Sequence, residues 1–260
     1  MHHSEEINEV IFCYETADLK ELEQMRLLDR YDNKYIFSFD LLANILNNLM
    51  SEYNVLSINE KRCFHYYNQY YDTLDYALHR MHINGKKPRY KVRKRNYDNS
   101  SQTYFELKLK NNKGKTEKHR LPILNSNGHL NEDEINFLKK YNIDLLNLFP
   151  SVKVYYKRIT LTNKNLQEKI TIDFDIDFIS SYKSKRIDGL VIAERKNLKC
   201  NNNTFFKTLM EEQRIEEYSI SKYCAGGIYT IPDIKYNRYK PKILLINKIC
   251  KETNGIHNRI

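Results

Sequence analysis

The segment RYKVRKRNY, residues 89–97, places a cation at every second position, and this spacing constrains the fold more than any other feature. Successive side chains of a β-strand point to opposite faces, so Arg89, Lys91, Arg93 and Arg95 would share one face. Like charges that neighbour each other on a sheet are destabilising. The pattern therefore predicts a strand whose charged face either holds an anion or lies in bulk solvent.

The positive charge of the chain is concentrated around this segment. The 260 residues include 43 Lys or Arg and 33 Asp or Glu, a formal net charge of +10. Residues 86–120 contain thirteen of these cations and three of these carboxylates, so this segment alone carries +10 and the remainder, with 30 of each, is neutral. One concentrated basic site in an otherwise neutral protein indicates an anionic ligand.

Alternating patterns and short turns predict an antiparallel β protein with few helices. We predict nine strands, over residues 29–37, 62–72, 76–83, 88–97, 103–111, 115–121, 152–163, 167–179 and 190–197. Three helices are predicted at 39–53, 131–141 and 204–219, with Ser38 as the N-cap of the first and an Asn131–Glu134 capping box in the second. The predicted fold is α+β: an antiparallel β-barrel tunnel, closed or nearly closed, with helices packed outside.

Two further strands indicate where the charged faces of the barrel lie. In YFELKLK, residues 104–110, three apolar side chains alternate with Glu106, Lys108 and Lys110. In KITIDFDIDF, five apolar side chains alternate with Lys169, Thr171, Asp173, Asp175 and Asp177. A one-sided sheet with its polar face in water is the alternative for any single strand. If helices cover the apolar faces outside, the charged faces line a tunnel of cations with a few carboxylates.

A tunnel of this composition suits phosphate. Arg and Lys bind phosphate oxygens through charge-assisted hydrogen bonds, and a carboxylate can hold a divalent metal that bridges neighbouring phosphates. Catalysis of phosphoryl transfer requires mainly alignment and charge neutralisation, so a nucleoside triphosphate or polyphosphate would fit. The sequence contains neither a GxxxxGK[ST] nor a GxGxxG motif, which excludes the familiar glycine-rich phosphate loops.

Cysteine spacing and hydropathy bear on the compartment. The five cysteines are scattered and form no CxxC pair, which is typical of reduced thiols. The longest aliphatic run, residues 243–246, is far shorter than the roughly 20 residues that span a bilayer. No apolar N-terminal segment indicates secretion. We therefore expect a cytoplasmic protein.

Nine short motifs, in order along the chain, resemble the VTC domain. They are RYDNKY (30–35), YNQYYDT (67–73), RYKVRKRNY (89–97), YFELKLK (104–110), KTEKHR (115–120), VYYKR (154–158), KITIDFD (169–175), VIAERK (191–196) and SISKY (219–223). The VTC domain is the polyphosphate polymerase domain of the vacuolar transporter chaperone complex, within the CYTH-like triphosphate tunnel metalloenzyme superfamily. The resemblance covers about residues 26–235, which we expect to form the tunnel domain, between a lead-in at 1–25 and a tail at 236–260.

The resemblance implies both an activity and a set of site residues. It implies that ATP is the substrate, that inorganic polyphosphate is extended in the tunnel, and that a divalent metal, Mn²⁺ or Mg²⁺, is required. The catalytic phosphate ligands would be Lys34, Arg93, Arg95, Lys108, Arg158 and Lys222. Further substrate contacts would come from Arg30, Arg89, Lys91, Lys118, Arg120, Lys169 and Lys196. Glu194 would hold the metal, and Glu106 would orient neighbouring cations.

Two positions depart from the family pattern. The family commonly has RxExK where this chain has RYDNK at residues 30–34, so the carboxylate is one methylene shorter. Lys169 stands where the family commonly has Arg, and lysine cannot make the bidentate contact with phosphate that arginine makes. Both changes keep the charge, so they bear on efficiency rather than on reaction type.

The leading hypothesis is a metal-dependent polyphosphate polymerase, and two alternatives stay open. A hydrolase of tripolyphosphate or nucleoside triphosphates would use the same tunnel, because the sequence does not decide whether water or phosphate is the nucleophile. The second alternative is a non-catalytic module that binds polyphosphate or nucleic acid, although retention of Glu194 argues against it. As in the family's eukaryotic complex, a separate membrane protein would couple synthesis to translocation, which would place the chain at the inner face of a membrane.

Four tyrosines beside the basic strands could stack on nucleobases: Tyr66, Tyr67, Tyr70 and Tyr71. Tyrosine is also a common filler of half-buried sheet faces. We favour that structural role and expect no nucleic-acid partner.

Two histidines and three aspartates could bind metal or have only structural roles. His79 and His82 have no spacing partner that makes a metal site, so we predict that they are surface residues of a strand. Asp173, Asp175 and Asp177 either bind metal or neutralise facing cations, and the sequence leaves both roles open.

Overall fold

The computed structural model describes residues 2–24, 30–97, 102–124, 128–141, 143, 147–198 and 203–257. Within them lies one sheet with eleven strands: β1 (Thr16–Ala17), β2 (Arg30–Ser38), β3 (Tyr53–Leu56), β4 (Cys63–Asp72), β5 (Arg89–Tyr97), β6 (Thr103–Lys110), β7 (Thr116–Ile123), β8 (Phe149–Asn163), β9 (Glu168–Ile179), β10 (Ser184–Ile187) and β11 (Leu190–Leu198). The α-helices of this part are α1 (His2–Phe12), α2 (Leu19–Gln24), α3 (Leu42–Leu49), α4 (Ala77–Ile83), α5 (Glu132–Lys139), α6 (Phe205–Glu212), α7 (Lys222–Thr230) and α8 (Lys240–His257).

Eight strands form the main path of the sheet, in the order β2–β11–β9–β8–β4–β5–β6–β7. The ladders of this path are antiparallel. In the described residues no ladder joins β7 back to β2, so the sheet curls without closing. Its two ends still face each other, because Lys108 on β6 lies within electrostatic range of Lys34 on β2 and Glu194 on β11. The predicted α+β class and tunnel architecture are confirmed.

The convex face of the sheet carries the largest core cluster. Phe37, Ile172 and Ala193 share this cluster with residues of α1, α3 and α6. The predicted apolar stripe of α3 is fully buried and consists of Leu42, Ile45, Leu46 and Leu49. Ser38 is an N-cap, as predicted: it caps the 3₁₀ turn Phe39–Leu41, which precedes α3, by accepting the N–H of Asp40. The helix predicted over 39–53 ends early, because its last residues begin β3 and pair with β8.

A second convex cluster lies under α5. Phe105 and Leu107 of β6 share it with Phe137 of α5. The predicted capping box is present: the Asn131 side chain accepts the N–H of Glu134, and the Glu134 carboxylate accepts the N–H of Asn131. The apolar half of YFELKLK therefore points outward, as predicted.

A bulge at Asp175 reverses the alternation of β9, and the prediction of one continuous apolar face was wrong. Asp175 has a φ of +50°, and the register with β8 shifts beside it. Ile172 and Phe174 belong to the convex cluster, whereas Ile176 and Phe178 belong to a cluster on the concave side. One inserted residue moves every following side chain to the other face of a sheet.

Helices α7 and α8 cover the apolar part of the concave face. Ile36 of β2 and Ile192 of β11 share a buried cluster with Ile246 of α8. Gly226 of α7 packs directly on the sheet, since a Cβ there would lie 2.8 Å from the Phe178 ring. The described part of the tail predicted at 236–260 thus fills part of the tunnel interior.

Residues 76–83, predicted as a strand, contain helix α4 instead. The Asp72 carboxylate and the Thr73 hydroxyl accept N–H groups of its first turn, which fixes a helix start that alternation did not reveal. His79 is 1% exposed and His82 is half-buried, so the prediction that both are surface residues was wrong.

The helix predicted over 204–219 is shorter in the structure. It begins after Thr204, whose side chain accepts the N–H of Lys207, and ends at Glu212. No helix in the described ranges is long and apolar enough to cross a membrane. Cys13, Cys63, Cys224 and Cys250 are free thiols, and Cys200 lies outside the described residues.

Candidate functional site

The concave face of β5 carries the alternating cations that the sequence singled out. In the sheet register Arg93 lies opposite Glu106 of β6 and opposite Tyr70 of β4. The intervening residue Lys94 points to the convex side, where it forms a buried ion pair of 3.0 Å with Glu134 of α5. The ladder therefore faces the tunnel, and the alternate side chains of β5 face the helices.

Glu106 is the centre of a first cation cluster. Its carboxylate is 2% exposed, and Nε and Nη2 of Arg93 lie 2.7 and 2.6 Å from Oε2. Lys118 Nζ and Arg120 Nε lie 2.6 and 3.0 Å from Oε1, and Arg95 Nε lies 3.9 Å from Oε2. Burial alone would raise the pKa of Glu106, but Arg93, Arg95 and Lys118 hold it well below its usual range. The carboxylate stays ionised and fixes the guanidinium of Arg93 in place.

Asp173 of β9 is the centre of a second cluster. Nε and Nη2 of Arg158 lie 2.5 and 2.7 Å from its two carboxylate oxygens, and Lys222 at the start of α7 pairs with the same carboxylate. Burial would raise the pKa of Asp173, but Arg158 and Lys222 lower it to about 2. The Arg158 guanidinium also lies 4.6 Å from the centre of the Tyr66 ring, a cation–π distance.

Glu194 of β11 is the centre of a third cluster. It lies opposite Lys34 in the register with β2, and Lys34 Nζ is 2.5 Å from Oε2. Lys196 pairs with the same carboxylate. Burial would raise the pKa of Glu194, but Lys34 and Lys196 hold it well below its usual range. The predicted metal ligand is thus an ionised carboxylate between two ammonium groups.

Burial and neighbouring cations lower the pKa values of two lysines on this face. Lys108 forms no ion pair with a carboxylate of the described residues. Enclosure by the protein is the largest cause that lowers its pKa to about 8, and Lys91 adds to the effect. Burial also lowers the pKa of Lys118 to about 7; Glu106 opposes this shift, whereas Arg95 strengthens it. An entering anion would favour the charged form of both lysines.

The other predicted contacts lie on the same face or outside the described residues. Arg89 faces Lys110 in the β5–β6 ladder, and Lys169 faces Lys196 in the β9–β11 ladder. The backbone of Arg30 begins β2, but its side chain lies outside the described part. The predicted residues that the structure brings to the concave face are Lys34, Arg89, Lys91, Arg93, Arg95, Lys108, Lys118, Arg120, Arg158, Lys169, Glu194, Lys196 and Lys222.

The three aspartates of β9 do not act together. Asp173 belongs to the second cluster, whereas Asp175 lies beyond the tunnel in a 2.9 Å ion pair with Lys157. Arg186 lies 3.5 Å from Asp175 and 3.8 Å from Asp177. Among the described residues no group of three or more His, Cys, Asp or Glu side chains could hold a metal ion. A fully protein-ligated metal centre is therefore not part of the described site.

Tyrosines complete the walls of the tunnel. The Tyr70 hydroxyl accepts a hydrogen bond of 3.1 Å from Nη1 of Arg93, and Tyr66 stacks on Tyr156 with ring centroids 5.3 Å apart. Tyr156 is not among the site residues predicted from the sequence. Its position two residues before Arg158 would have placed both side chains on one face of a strand.

The arrangement offers hydrogen-bond donors to a linear polyanion. Arg158 donates to Asp173 through Nε and Nη2, which leaves further N–H groups of its five-donor fork for another acceptor. The cations of β5 recur every second residue, about 6.6 Å apart along the strand. A chain of linked phosphates also presents charge at regular intervals. The curled sheet and its cationic concave face thus define a protein of the triphosphate tunnel fold.

Comparison with known proteins agrees with this class. The sequence matches the VTC domain over residues 29–230, so the chain belongs to the VTC domain family. A candidate adenylate cyclase from Bacillus halodurans shares the fold with a TM-score of 0.50 and 13% identity, over 74% of this chain and 94% of that one. A candidate adenylyl cyclase from Hippeastrum with a dominant triphosphatase activity has a TM-score of 0.50 and 11% identity, over 79% of this chain and 99% of that one. None of the curated proteins compared with the sequence matches it.

Proposed function

We propose that the protein is a polyphosphate polymerase that uses ATP. In the proposed reaction a terminal oxygen of the polyphosphate chain attacks the γ-phosphorus of ATP. The bond between that phosphorus and the β–γ bridging oxygen breaks, ADP leaves, and the chain is longer by one phosphate. Membership of the VTC family supports this reaction. The observation that carries it is the convergence of three carboxylate-centred cation clusters on one concave face.

The proposed roles of the cations follow from their placement. Arg93 and Arg158 are held by Glu106 and Asp173, so their guanidinium groups are oriented before substrate arrives. Preorganised donors stabilise developing charge without reorganisation at the moment of reaction. Lys108 lies near both the Glu194 cluster and β5, where it would neutralise charge on the transferred phosphoryl group.

A divalent metal fits the donor set in one way. Mg²⁺-type ions are commonly held by one or two carboxylates together with substrate phosphates and water. Glu194 is ionised and would serve as such a single protein ligand, with Lys34 and Lys196 released to phosphate oxygens. When bound, the metal would neutralise charge on the phosphates and help to align them. The choice between Mn²⁺ and Mg²⁺ is a matter for activity measurements with each ion.

A triphosphatase is the second candidate. The observation that favours it is the shared fold with the Hippeastrum protein, whose dominant activity is that of a triphosphatase. Water would then replace the polyphosphate terminus as the nucleophile, and the cation clusters would keep the same roles.

The deciding experiment follows ADP, free phosphate and polyphosphate in one time course with ATP and Mn²⁺, and again with Mg²⁺. ADP with long polyphosphate and little free phosphate is the expected result. ADP with an equal amount of free phosphate would establish the triphosphatase instead. Tripolyphosphate binding without turnover under either metal would leave an accessory binding module. A parallel reaction with Glu194→Ala controls for a contaminating ATPase.

Cysteine spacing and hydropathy predict a cytoplasmic location, and the family resemblance predicts a membrane protein partner for translocation. We keep both as proposals, and the second rests on polymerase activity. Nucleic acid is not a proposed ligand, and single-stranded DNA at the concentrations used for tripolyphosphate serves as a negative control in binding assays.

A further inference from the structure

The first residues of α7 are fastened to the walls of the tunnel. Lys222 pairs with Asp173, and Lys91 Nζ donates to the Ser221 hydroxyl at 3.0 Å. The same hydroxyl caps the helix by accepting the N–H of Cys224. The position of Lys222 in the tunnel therefore depends on where α7 begins and how it is held.

A buried carboxylate at the end of β4 holds the next residue of α7. Asp72, at the end of β4, is 1% exposed, and its Oδ1 accepts the N–H groups of Thr73 and Leu78, both at 2.8 Å. Its Oδ2 accepts the N–H of His79 at 2.9 Å and the hydroxyl of Tyr223. One carboxylate thus joins the start of α4 to the start of α7.

Tyr223 connects this carboxylate to the cation ladder. Its ring is buried and stacks on Tyr70, with centroids 4.9 Å apart and an interplanar angle of 22°. The Tyr70 hydroxyl in turn accepts from Arg93 at 3.1 Å. The His79 ring packs edge-on against Tyr223, which leaves Tyr223 little room to move. A continuous set of contacts therefore runs from Asp72 through Tyr223 to Arg93, and Lys222 is its covalent neighbour.

We propose that Asp72 and Tyr223 are positioning residues that set Lys222 and Arg93 for the terminal phosphates of the substrate. The proposal rests on the proposed function only in that the tunnel binds a triphosphate. Neither residue is one of the substrate contacts proposed above. Their hydrogen bond would fix the rotation and depth of α7, and with them the place of Lys222 beside Asp173 and an entering phosphate. Misplacement of a substrate-positioning group by about 1 Å can cost about 100-fold in rate.

The test is a double-mutant cycle read by calorimetric binding of tripolyphosphate to the full chain. Tyr223→Phe keeps the stacked ring and removes the hydroxyl, and Lys222→Met removes the cation that the hydroxyl is proposed to position. We expect Tyr223→Phe to weaken binding about tenfold in the wild-type background and less than about twofold in the Lys222→Met background. Coupling of this kind is expected of residues that act through each other and not of independent sites.

A matched control lies on the same helix. The Tyr229 hydroxyl donates to Asn247 at 2.8 Å on the surface between α7 and α8, away from the cation ladder. Tyr229→Phe should leave tripolyphosphate affinity unchanged. If Tyr223→Phe does not fold, Asp72→Asn is the second variant, because the amide oxygen still accepts N–H groups while the charge is lost; the same dependence on Lys222 is expected.

The outcomes separate the two proposals. Equal losses in both backgrounds, or no loss in either, would overturn the positioning role and leave the proposed function intact. A wild-type protein that fails to bind tripolyphosphate would overturn the proposed function and this inference with it. A loss that depends on Lys222 would support positioning even if the time course shows hydrolysis rather than polymerisation.

Discussion

Replacing Glu106 by Gln should destabilise the free protein and increase the stabilisation that bound tripolyphosphate provides. The substitution keeps the shape of the side chain and removes the negative charge at the centre of the first cluster. Arg93, Lys118 and Arg120 would then face one another without their shared counter-charge. Loss of one partner of a buried ion pair costs about 3–5 kcal/mol.

Solvent exposure reduces this estimate for Glu106. The side chains of Arg93, Lys118 and Arg120 are 20%, 34% and 48% exposed, so water screens much of the cluster. We expect a loss of about 2–3 kcal/mol in the free energy of unfolding. At about 2–4 °C per kcal/mol for a domain of this size, Tm should fall by about 4–12 °C. Differential scanning calorimetry without ligand measures this fall.

Tripolyphosphate should reduce the difference in Tm between Glu106→Gln and the wild type. Its negative charge would take the place of the missing carboxylate, and it would no longer compete with Glu106 for Arg93. A ligand at about 100 times its Kd stabilises a protein by about 2.7 kcal/mol. The rise in Tm at a fixed tripolyphosphate concentration should therefore be larger for Glu106→Gln than for the wild type.

Glu168→Gln is the matched control, because it breaks a buried ion pair outside the tunnel. Glu168 lies 3.6 Å from Arg195 on the convex side, and the two side chains are 1% and 0% exposed. This variant should also lose stability, but the difference between its Tm and that of the wild type should not change with tripolyphosphate. If the Tm difference between Glu106→Gln and the wild type is the same with and without ligand, an anion site at the first cluster is refuted.

Three further predictions concern binding, turnover and pH. Arg93→Ala should weaken tripolyphosphate binding, measured by calorimetry, by about 1.5–3 kcal/mol, or about 10- to 150-fold. The control Arg80→Ala, at an exposed arginine, should have no effect. An unaltered Kd for Arg93→Ala would place the ladder outside the binding site. Glu194→Ala should abolish ADP release while circular dichroism shows an intact fold, and unchanged turnover would remove its metal role. Because Lys108 and Lys118 have pKa values of about 8 and 7, well below those of the unfolded chain, the free protein should gain stability between pH 7 and 9 while tripolyphosphate affinity falls. Parallel melting and binding series test these opposed trends, and affinity that stays constant with pH would contradict them.

Local alternation was sufficient to predict most of the strands and the orientation of their charged faces. Side-chain direction in a strand has a period of two, so the faces of β5 and β6 follow from adjacent residues alone. Lys94 and Phe105 point to the helices, and Arg93 and Glu106 point into the tunnel, as the pattern predicted. Helix capping was predictable for the same reason, since the Asn131–Glu134 box lies within four residues of sequence.

The incorrect predictions occur where an element that is distant in the sequence decides the local structure. The sequence alternates without a break across Asp175, yet the bulge places Phe174 on the convex side and Ile176 on the concave side. Both sets need an apolar cover, and the cover for the second set is the C-terminal pair of helices. Similarly, α4 begins at the carboxylate of Asp72, which is shielded from water where Tyr223 of α7 packs on it.

The alternating cations of β5 raise the question of how such a ladder is tolerated. Glu106 offsets the repulsion around Arg93 and Arg95, but Lys108, on the neighbouring strand, forms no ion pair within the described residues. Burial is the largest cause that lowers the pKa values of Lys108 and Lys118, and the neighbouring cations Lys91 and Arg95 lower them further, which is the repulsion that remains in the free protein. An anion that enters the tunnel would raise both values and remove that cost. Under the proposed function, the surplus of cations that opposes folding is thus the source of binding free energy for the triphosphate.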